Sequence, residues 1–173
     1  MTGNRTKRAS REEIDAIKRG LCLRDKLIVD IAVDTGLRIS DILSLPAELS
    51  AEMTVREQKT GKLRTVRLTP ATLGEAEKYT TMEGIEGKLF DVSRSTAWRN
   101  ISKQARELGL EHIGPHSFRK TFAREFFVKH GLIATQKELM HNYPSTTLLY
   151  ILDEEEIVNA KFECKVQSAL RKD

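Results

Sequence analysis

The helical pattern that decides the fold lies in residues 24–45, which read RDKLIVDIAVDTGLRISDILSL. Apolar residues recur there at helical spacing and predict a helix over about 24–34. Gly36 predicts the end of this helix, because glycine readily takes the left-handed conformation that closes a helix. A second, shorter helix is expected over about 40–45, before a proline.

The chain outside this stretch is also mainly helical, with one exception. Residues 53–68 alternate apolar and polar side chains around Lys59-Thr60-Gly61-Lys62, which predicts a β-hairpin that turns at or next to Gly61. Ser10-Arg11-Glu12-Glu13 has the form of a helix capping box, and Ser95 is the expected N-cap of another helix. The remaining patterns predict helices over about 10–21, 70–80, 95–108, 116–130, 133–140, 146–152 and 154–170. The predicted fold class is mainly α with a small antiparallel β-hairpin or sheet.

Length and composition are those of one folded domain. The chain has 173 residues, of which 39% are hydrophobic and 31% charged, which argues against a disordered or fibrous protein. Apolar runs stay well below the roughly 20 residues that a membrane helix needs, and a secretory signal is not expected. Cys22 and Cys164 lack metal-ligand spacing, so we expect two reduced thiols.

Positive charge is concentrated in three stretches. The formal net charge is only +4, but residues 1–11, 56–67 and 94–129 are each rich in Lys and Arg, whereas 153–156 is acidic. Such runs are often solvated faces. They are also what a phosphate-binding surface requires, since Lys and Arg neutralise the nucleic-acid backbone.

Several polar residues have types and spacings that suit phosphate chemistry. His116 and Arg119 are three apart on a predicted helix and therefore share one face. Arg38 follows a glycine turn at a helix start, where a guanidinium and free backbone N–H groups attract phosphate oxygens. Tyr150 lies nine residues after His141 in an apolar stretch, where a tyrosine is usually a core aromatic. As a nucleophile it would need cations close by.

The order of these residues is more specific than any one of them. An arginine, a hairpin lysine, His-x-x-Arg, a histidine and a tyrosine follow one another along the chain. The sequence here resembles the catalytic domain of the tyrosine recombinases, or phage integrases. The matching stretches are TGLRISDILSL at 35–45, QKTGKLRTVRL at 58–68, HSFRKTFA at 116–123 and HNYPSTTLLY at 141–150. The resemblance covers about residues 10–152 and implies the fold of that catalytic domain.

The resemblance implies a site-specific recombinase that cleaves and rejoins DNA through a 3′-phosphotyrosyl intermediate. Tyr150 would be the nucleophile, and Arg38 and Arg119 would bind the non-bridging oxygens of the scissile phosphate. His116 would assist proton transfer with the tyrosine. His141 would hydrogen-bond the phosphate.

The hairpin and the residue after the first arginine carry further implied roles. Lys59 matches the lysine that donates a proton to the leaving 5′-oxygen, and Lys62 in the same turn is the alternative. Asp41 matches an acidic position that supports the active site, and we expect it to orient Arg38 or a neighbour. The resemblance implies no metal and no cofactor, because guanidinium and ammonium groups supply the positive charge.

The expected partner is a double-stranded DNA recombination site. The resemblance implies a homotetramer on DNA and a monomer in solution, with accessory DNA-bending proteins as further partners, in the cytoplasm on nucleoid DNA and not at a membrane. The residues expected to contact DNA outside the catalytic set are Arg5, Lys7, Arg8, Lys62, Arg64 and Lys120.

The expected organisation is a basic segment over 1–9 followed by a catalytic domain over 10–173. The N-terminal core-binding domain that most family members carry is expected to be absent. The C-terminal helix over about 154–170 has enough apolar residues to dock, and packing on its own domain or on a neighbouring subunit are both open. Two other functions are compatible with the pattern: a DNA-binding regulator without cleavage activity, and an enzyme that resembles type IB topoisomerases.

Overall fold

The computed structural model describes residues 6–152 and 156. The described part is mainly helical with one antiparallel hairpin, as the sequence predicts. Its elements are α1 (Arg11–Arg19), α2 (Leu23–Thr35), α3 (Ile39–Ile42), β1 (Glu52–Arg56), β2 (Leu63–Arg67), α4 (Pro70–Glu83), α5 (Arg94–Glu107), α6 (Pro115–Glu138) and α7 (Pro144–Ile151). None of these helices combines the length and the hydropathy needed to cross a bilayer.

Helix α2 is the centre of the core. It is buried around most of its circumference, and Leu27, Ile28 and Ile31 are at most 1% exposed. A helix that is apolar on nearly every side must be enclosed by other elements. Helices α1, α3, α4, α5 and α6 and strand β2 all pack against it. The pattern in 24–45 therefore determines where the other elements can lie.

The hairpin has the predicted position and turn. Strands β1 and β2 pair in antiparallel register, with Val55 opposite Arg64. Gly61 lies in the turn with φ of 67°, a left-handed conformation that glycine adopts without strain. Val55 and Val66 are buried against the core, so the strand alternation has the physical cause that the sequence suggests.

Helix boundaries differ from the predictions in three places. The N-cap of α5 is Ser93 and not Ser95, because the hydroxyl of Ser93 accepts a hydrogen bond from the Thr96 N–H at 3.1 Å. The helices expected over 116–130 and 133–140 form the single element α6, which is interrupted at Gly131 (φ 78°, ψ 176°). Helix α7 begins at Pro144, two residues early, because proline fits the first helical position.

The N-terminal segment of the described chain is fastened to the rest of the domain by hydrogen bonds. The capping box of Ser10 and Glu13 is present as predicted. Residues 6–9 lie along α6, where the Lys120 ammonium donates to the Thr6 carbonyl at 2.6 Å and Lys7 N–H donates to the His112 carbonyl at 2.8 Å. Apart from residue 156, the helix predicted over 154–170 falls outside the described residues.

A second, smaller core joins α6 to α7. Ala123, Leu139 and Ile151 are buried together, and the partly buried ring of Tyr150 packs against them. This contact brings the C-terminal part of the described chain beside the middle of α6. It is the reason that Tyr150 lies near Arg119.

Candidate active site

Arg119 joins two loops that are distant in sequence. Its side chain is fully buried, and its guanidinium donates from Nη1 to the Gly36 carbonyl and from Nη2 to the Leu139 carbonyl at 2.9 Å. Nε has no hydrogen-bond partner within residues 6–152 and 156. A planar guanidinium can bridge two acceptors in this way, which a lysine ammonium on a flexible stem does less well. Arg119 therefore holds the loop after α2 and the loop after α6 in one place.

Gly36 is required at its position for two reasons. It ends α2 in the left-handed conformation with φ of 61°, and its N–H donates to the Ala32 carbonyl. A Cβ atom on Gly36 would lie 2.3 Å from Cδ1 of Phe122, which is far inside van der Waals contact. The missing side chain lets α6 approach the loop closely enough for Arg119 to reach it.

His141 and Tyr150 complete a cluster with Arg119. The His141 and Tyr150 ring centroids are 4.9 Å apart, and Cζ of Arg119 lies 5.6 Å from the Tyr150 ring centroid. Nε2 of His141 is 3.4 Å from Nη2 of Arg119. On its other side, Nδ1 of His141 is 3.0 Å from Oγ1 of Thr147, which is buried on α7. Thr147 thus fixes the imidazole from Nδ1, and Nε2 is left on the side of the Arg119 guanidinium.

Arg38 reaches the same region from the start of α3 and is paired with a buried carboxylate. Its Nη1 donates to Oε2 of Glu57 at 2.7 Å, and Oε2 also accepts from the Thr60 hydroxyl at 2.9 Å. Burial raises the pKa of Glu57, but the hydrogen bonds from Arg38 and Thr60 and the charge of Arg38 outweigh it and lower the pKa. Glu57 is therefore an ionised carboxylate within the site.

Asp41 supports the hairpin turn and not Arg38 directly. Its side chain is fully buried on α3, and Oδ1 accepts a hydrogen bond from the Gln58 N–H at 2.9 Å. The expectation that Asp41 orients Arg38 or a neighbour stays a prediction, because the carboxylate is seen to bind the backbone of the turn. The turn that carries Lys59 is thereby fastened to the helix that begins at Arg38.

The two hairpin lysines differ in their contacts. Lys59 is exposed, and no hydrogen bond or ion pair of its side chain is seen within the described chain. The Lys62 ammonium donates to Oδ1 of Asn142 at 3.2 Å, so the hairpin tip touches the residue that follows His141. Either lysine lies on the turn that faces the cluster.

The prediction that Arg64 belongs to a DNA-contacting surface is wrong. Arg64 is 4% exposed, and its guanidinium donates to the Thr35 carbonyl and to Oε1 of Glu138, the latter at 2.9 Å. It also lies over the ring of Phe122, with Cζ 5.7 Å from the centroid. The strand alternation points this residue inward, so its charge ties β2 to α2 and α6.

The other residues expected to contact DNA lie around the N-terminal segment. Lys7 is exposed and 3.4 Å from the Glu13 carboxylate, Arg8 is half-buried, and Arg5 lies outside the described residues. A cavity of about 690 Å³ opens between this segment and Tyr150, and Lys7, Arg8 and Lys120 line it. The carboxylates of Glu13 and Glu125 also line the cavity, so its charge is mixed, with more cations than anions.

Burial and like charge shape the protonation of the site. Burial, and then the charge of Arg38, lowers the pKa of Arg119 to about 10. Burial, followed by the charges of Arg119 and Arg38, lowers the pKa of His141 to about 4. Burial and the same two arginines also lower the pKa of His116. At neutral pH the site therefore combines cationic guanidiniums with neutral imidazoles, of which that of His141 lies against the Tyr150 ring, and this suits an anionic oxygen.

Two residues of the site were not predicted from the sequence. Glu57 had a visible signal, because it is the only acid in the basic stretch 56–67. Thr147 had none, since one threonine among several polar residues before Tyr150 carries no distinctive pattern. No group of three or more His, Cys, Asp or Glu side chains with the geometry of a metal site occurs in the part of the chain that is described.

Comparison with known proteins gives one consistent result. The model of the phage integrase family matches residues 7–156. The chain is 35% identical over 143 residues to "Tyrosine recombinase XerA" of Saccharolobus solfataricus, covering 79% of this chain and 47% of that protein. It is 32% identical over 168 residues to a Bacillus subtilis protein named "Probable integrase/recombinase YoeC". This match covers 89% of this chain and 93% of that protein.

Solved structures agree on the fold. The XerH site-specific recombinase bound to a palindromic difH substrate, in a post-cleavage complex, superposes with a TM-score of 0.73 at 21% identity, over 92% of this chain and 53% of that one. The chain spans about half the length of the XerA relative, at 47%, and nearly all of YoeC, at 93%.

Proposed function

The chain belongs to the phage integrase family, and from this premise we propose that it is a site-specific DNA recombinase that cleaves and rejoins DNA through Tyr150. The observation that carries the proposal is the contact of Tyr150 with both Arg119 and His141. A tyrosine packed only as a core aromatic has no need of a buried cation and a half-buried imidazole against its ring. A phenolic nucleophile needs both.

The proposed cleavage step is an attack of Tyr150 Oη on the scissile phosphorus. The new Oη–P bond forms as the bond from phosphorus to the 5′-oxygen breaks, which leaves a 3′-phosphotyrosyl link and a free 5′-hydroxyl. Arg38 and Arg119 stabilise the charge on the non-bridging oxygens in the transition state, and His141 donates a hydrogen bond to one of them. A preorganised guanidinium pair supplies the charge that a metal supplies elsewhere.

Two protons move in this step. The Tyr150 hydroxyl loses its proton to His116, whose lowered pKa keeps the imidazole neutral and able to accept it. The leaving 5′-oxygen takes a proton from Lys59, or from Lys62 on the same turn. Rejoining is the same step in reverse, with a 5′-hydroxyl of another strand as the nucleophile. The bond energy is kept in the phosphotyrosyl link, so no nucleotide cofactor is required.

The proposed substrate is a double-stranded DNA recombination site, on which four copies assemble in the cytoplasm. Support comes from the basic side of the domain around Lys7, Arg8 and Lys120, and from the DNA-bound state of the XerH neighbour. A backbone-binding surface of this kind predicts that affinity falls steeply with salt.

The test is capture of the covalent intermediate. The full chain is incubated with a pool of nicked duplexes that carry random sequence around the nick, and adducts that survive detergent are sequenced to read the preferred site. We expect an adduct with the wild type and with Tyr143→Phe, an exposed tyrosine of the neighbouring turn, and none with Tyr150→Phe.

The alternatives are distinguished by this experiment together with a binding assay and a plasmid relaxation assay on the same protein. Sequence-specific binding without any adduct in the wild type refutes the proposal and favours a DNA-binding regulator. Relaxation of any supercoiled plasmid without recombinant products favours an enzyme of the topoisomerase type. An adduct that persists in Tyr150→Phe refutes the role of this tyrosine.

A further inference from the structure

Glu57 is a buried charge that the proposed reaction does not use. Glu57 is the first residue after β1 and lies next to an exposed turn, but its side chain is fully buried. A buried carboxylate is costly unless it is paired and hydrogen-bonded. Such a residue in an active site therefore calls for a role.

The contacts of Glu57 connect two groups of the proposed mechanism. Its Oε2 atom accepts from Nη1 of Arg38 at 2.7 Å and from the hydroxyl of Thr60 at 2.9 Å. Thr60 is the residue next to Lys59 in the turn. One carboxylate oxygen thus joins the arginine that binds the phosphate to the turn that carries the proton donor.

The geometry leaves Arg38 available to a ligand. Only Nη1 of its guanidinium is engaged by Glu57, and the Arg38 side chain keeps 17% of its surface exposed. No hydrogen bond of its other N–H groups is seen within the described residues, so they are available to a ligand. An anionic partner behind a guanidinium restricts its rotamers and aims its free edge, which lowers the entropic cost of binding an oxygen in front.

We propose that Glu57 is a positioning residue that aims Arg38 at the reacting phosphate and, through Thr60, sets the turn of Lys59 at the correct distance from it. The inference rests on the proposed cleavage by Tyr150. Asp41 holds the same turn from the other side through the Gln58 N–H, so Glu57 and Asp41 together fix the turn against α3.

Three variants and one control variant separate the two links. Glu57→Met removes the acceptor and keeps the size, so adduct formation on the nicked duplex should fall roughly 100-fold while DNA affinity changes little. Glu57→Gln keeps an acceptor without the charge and should restore most of the rate, to within roughly tenfold of the wild type. Thr60→Val removes the hydroxyl that donates to Glu57 and that also accepts from the Lys62 N–H at 3.3 Å, so it loosens the turn and should slow the reaction roughly tenfold. Glu52→Gln removes an exposed charge of the same hairpin and should have no effect.

A substrate with a sulfur in place of the leaving 5′-oxygen distinguishes the two links. A thiolate leaves without a proton donor, so the Thr60→Val defect should disappear on this substrate. The Glu57→Met defect should persist on this substrate, because the Arg38 guanidinium is still not held in the orientation that binds the phosphate. Equal defects of Thr60→Val on both substrates, or a Glu57→Met rate equal to wild type, would overturn the inference.

A measurement on the protein alone separates this inference from the proposed function. In ¹⁵N spectra of the wild type and of Glu57→Gln, the Nε–Hε signal of Arg38 should be resolved from those of other arginines. In Glu57→Met it should overlap with the signals of the solvent-exposed arginines. A resolved signal in Glu57→Met refutes the positioning role. Should the wild type form no adduct on any duplex, the proposed function fails while this readout still decides the role of Glu57. Thr60 is exposed, so its variant remains informative even if Glu57→Met fails to fold.

Discussion

Gly36→Ala adds one methyl group at the point where the loop after α2 meets α6. The new Cβ would lie 2.3 Å from Cδ1 and 2.8 Å from Cγ of Phe122, so one of the two must move. Phe122 cannot retreat freely, because the Arg64 guanidinium lies over its ring and Phe126 lies beside it. The Gly36 carbonyl is also an acceptor for Arg119. We therefore expect losses of both stability and cleavage.

The magnitude can be separated into two contributions with a matched control. Gly84 ends α4 as Gly36 ends α2, with φ of 60° against 61°, but a Cβ there meets no atom within 4 Å. Gly84→Ala should lower the free energy of unfolding by about 1 kcal/mol, the net cost of a left-handed alanine. Gly36→Ala carries this cost and in addition about 1–3 kcal/mol for overpacking against Phe122.

The assay is equilibrium urea denaturation followed by far-ultraviolet circular dichroism, with both variants and the wild type in the same buffer. The wild type should be the most stable, followed by Gly84→Ala and then Gly36→Ala. The difference in unfolding free energy between the two variants should be at least as large as that between the wild type and Gly84→Ala. Equal losses in the two variants would refute the close approach of α6 to the loop. Gly84→Ala should also form the covalent adduct at the wild-type rate, whereas Gly36→Ala should form it more slowly.

Two further predictions concern His141. Thr147→Val removes the hydroxyl that holds Nδ1 and should slow adduct formation roughly tenfold without weakening DNA binding; Thr146→Val is the control, and equal rates in the two variants would contradict the role of Thr147. The pKa of His141 is lowered from 6.5 to about 4, so the unfolded chain binds a proton more readily than the folded one. Stability should therefore fall as pH drops from 6.5 towards 4, and the loss should be smaller in His141→Gln. Urea denaturation across this pH range measures the difference, and NMR titration of the imidazole should find it neutral at pH 6; a protonated ring at that pH would contradict the burial argument.

The helices and the hairpin were largely predictable because they arise from local regularities. Apolar spacing placed α2, alternation around Gly61 placed the hairpin, and Ser10 with Glu13 marked the start of α1. At the start of α5 the boundary depended on a local choice between two similar residues. Ser93 and Ser95 are both good caps, and the backbone conformation around the first selects it.

The candidate residues were likewise found from types and order, but their surroundings were not. Arg64 was expected to contact DNA as part of the basic stretch 56–67, but the strand pleat turns it inward, where it pairs with the carboxylate of Glu138. Glu57 was visible only as one acid among cations. The role of Glu57 in the site depends on its ion pair with Arg38, which is 19 positions away. The two side chains come into contact only when the hairpin packs on α3.

Residue types and their order along the chain were enough to predict most of the helices and the hairpin, the charged and nucleophilic side chains, and the family. The packing of distant segments is what places the Arg119 guanidinium on the carbonyls of Gly36 and Leu139, 83 and 20 positions away, with Tyr150 against it. Helix and strand periodicity could be predicted because it is a property of neighbouring residues. Burial, pKa and hydrogen-bond partners depend on which distant segments approach, and that is settled by how the whole core packs.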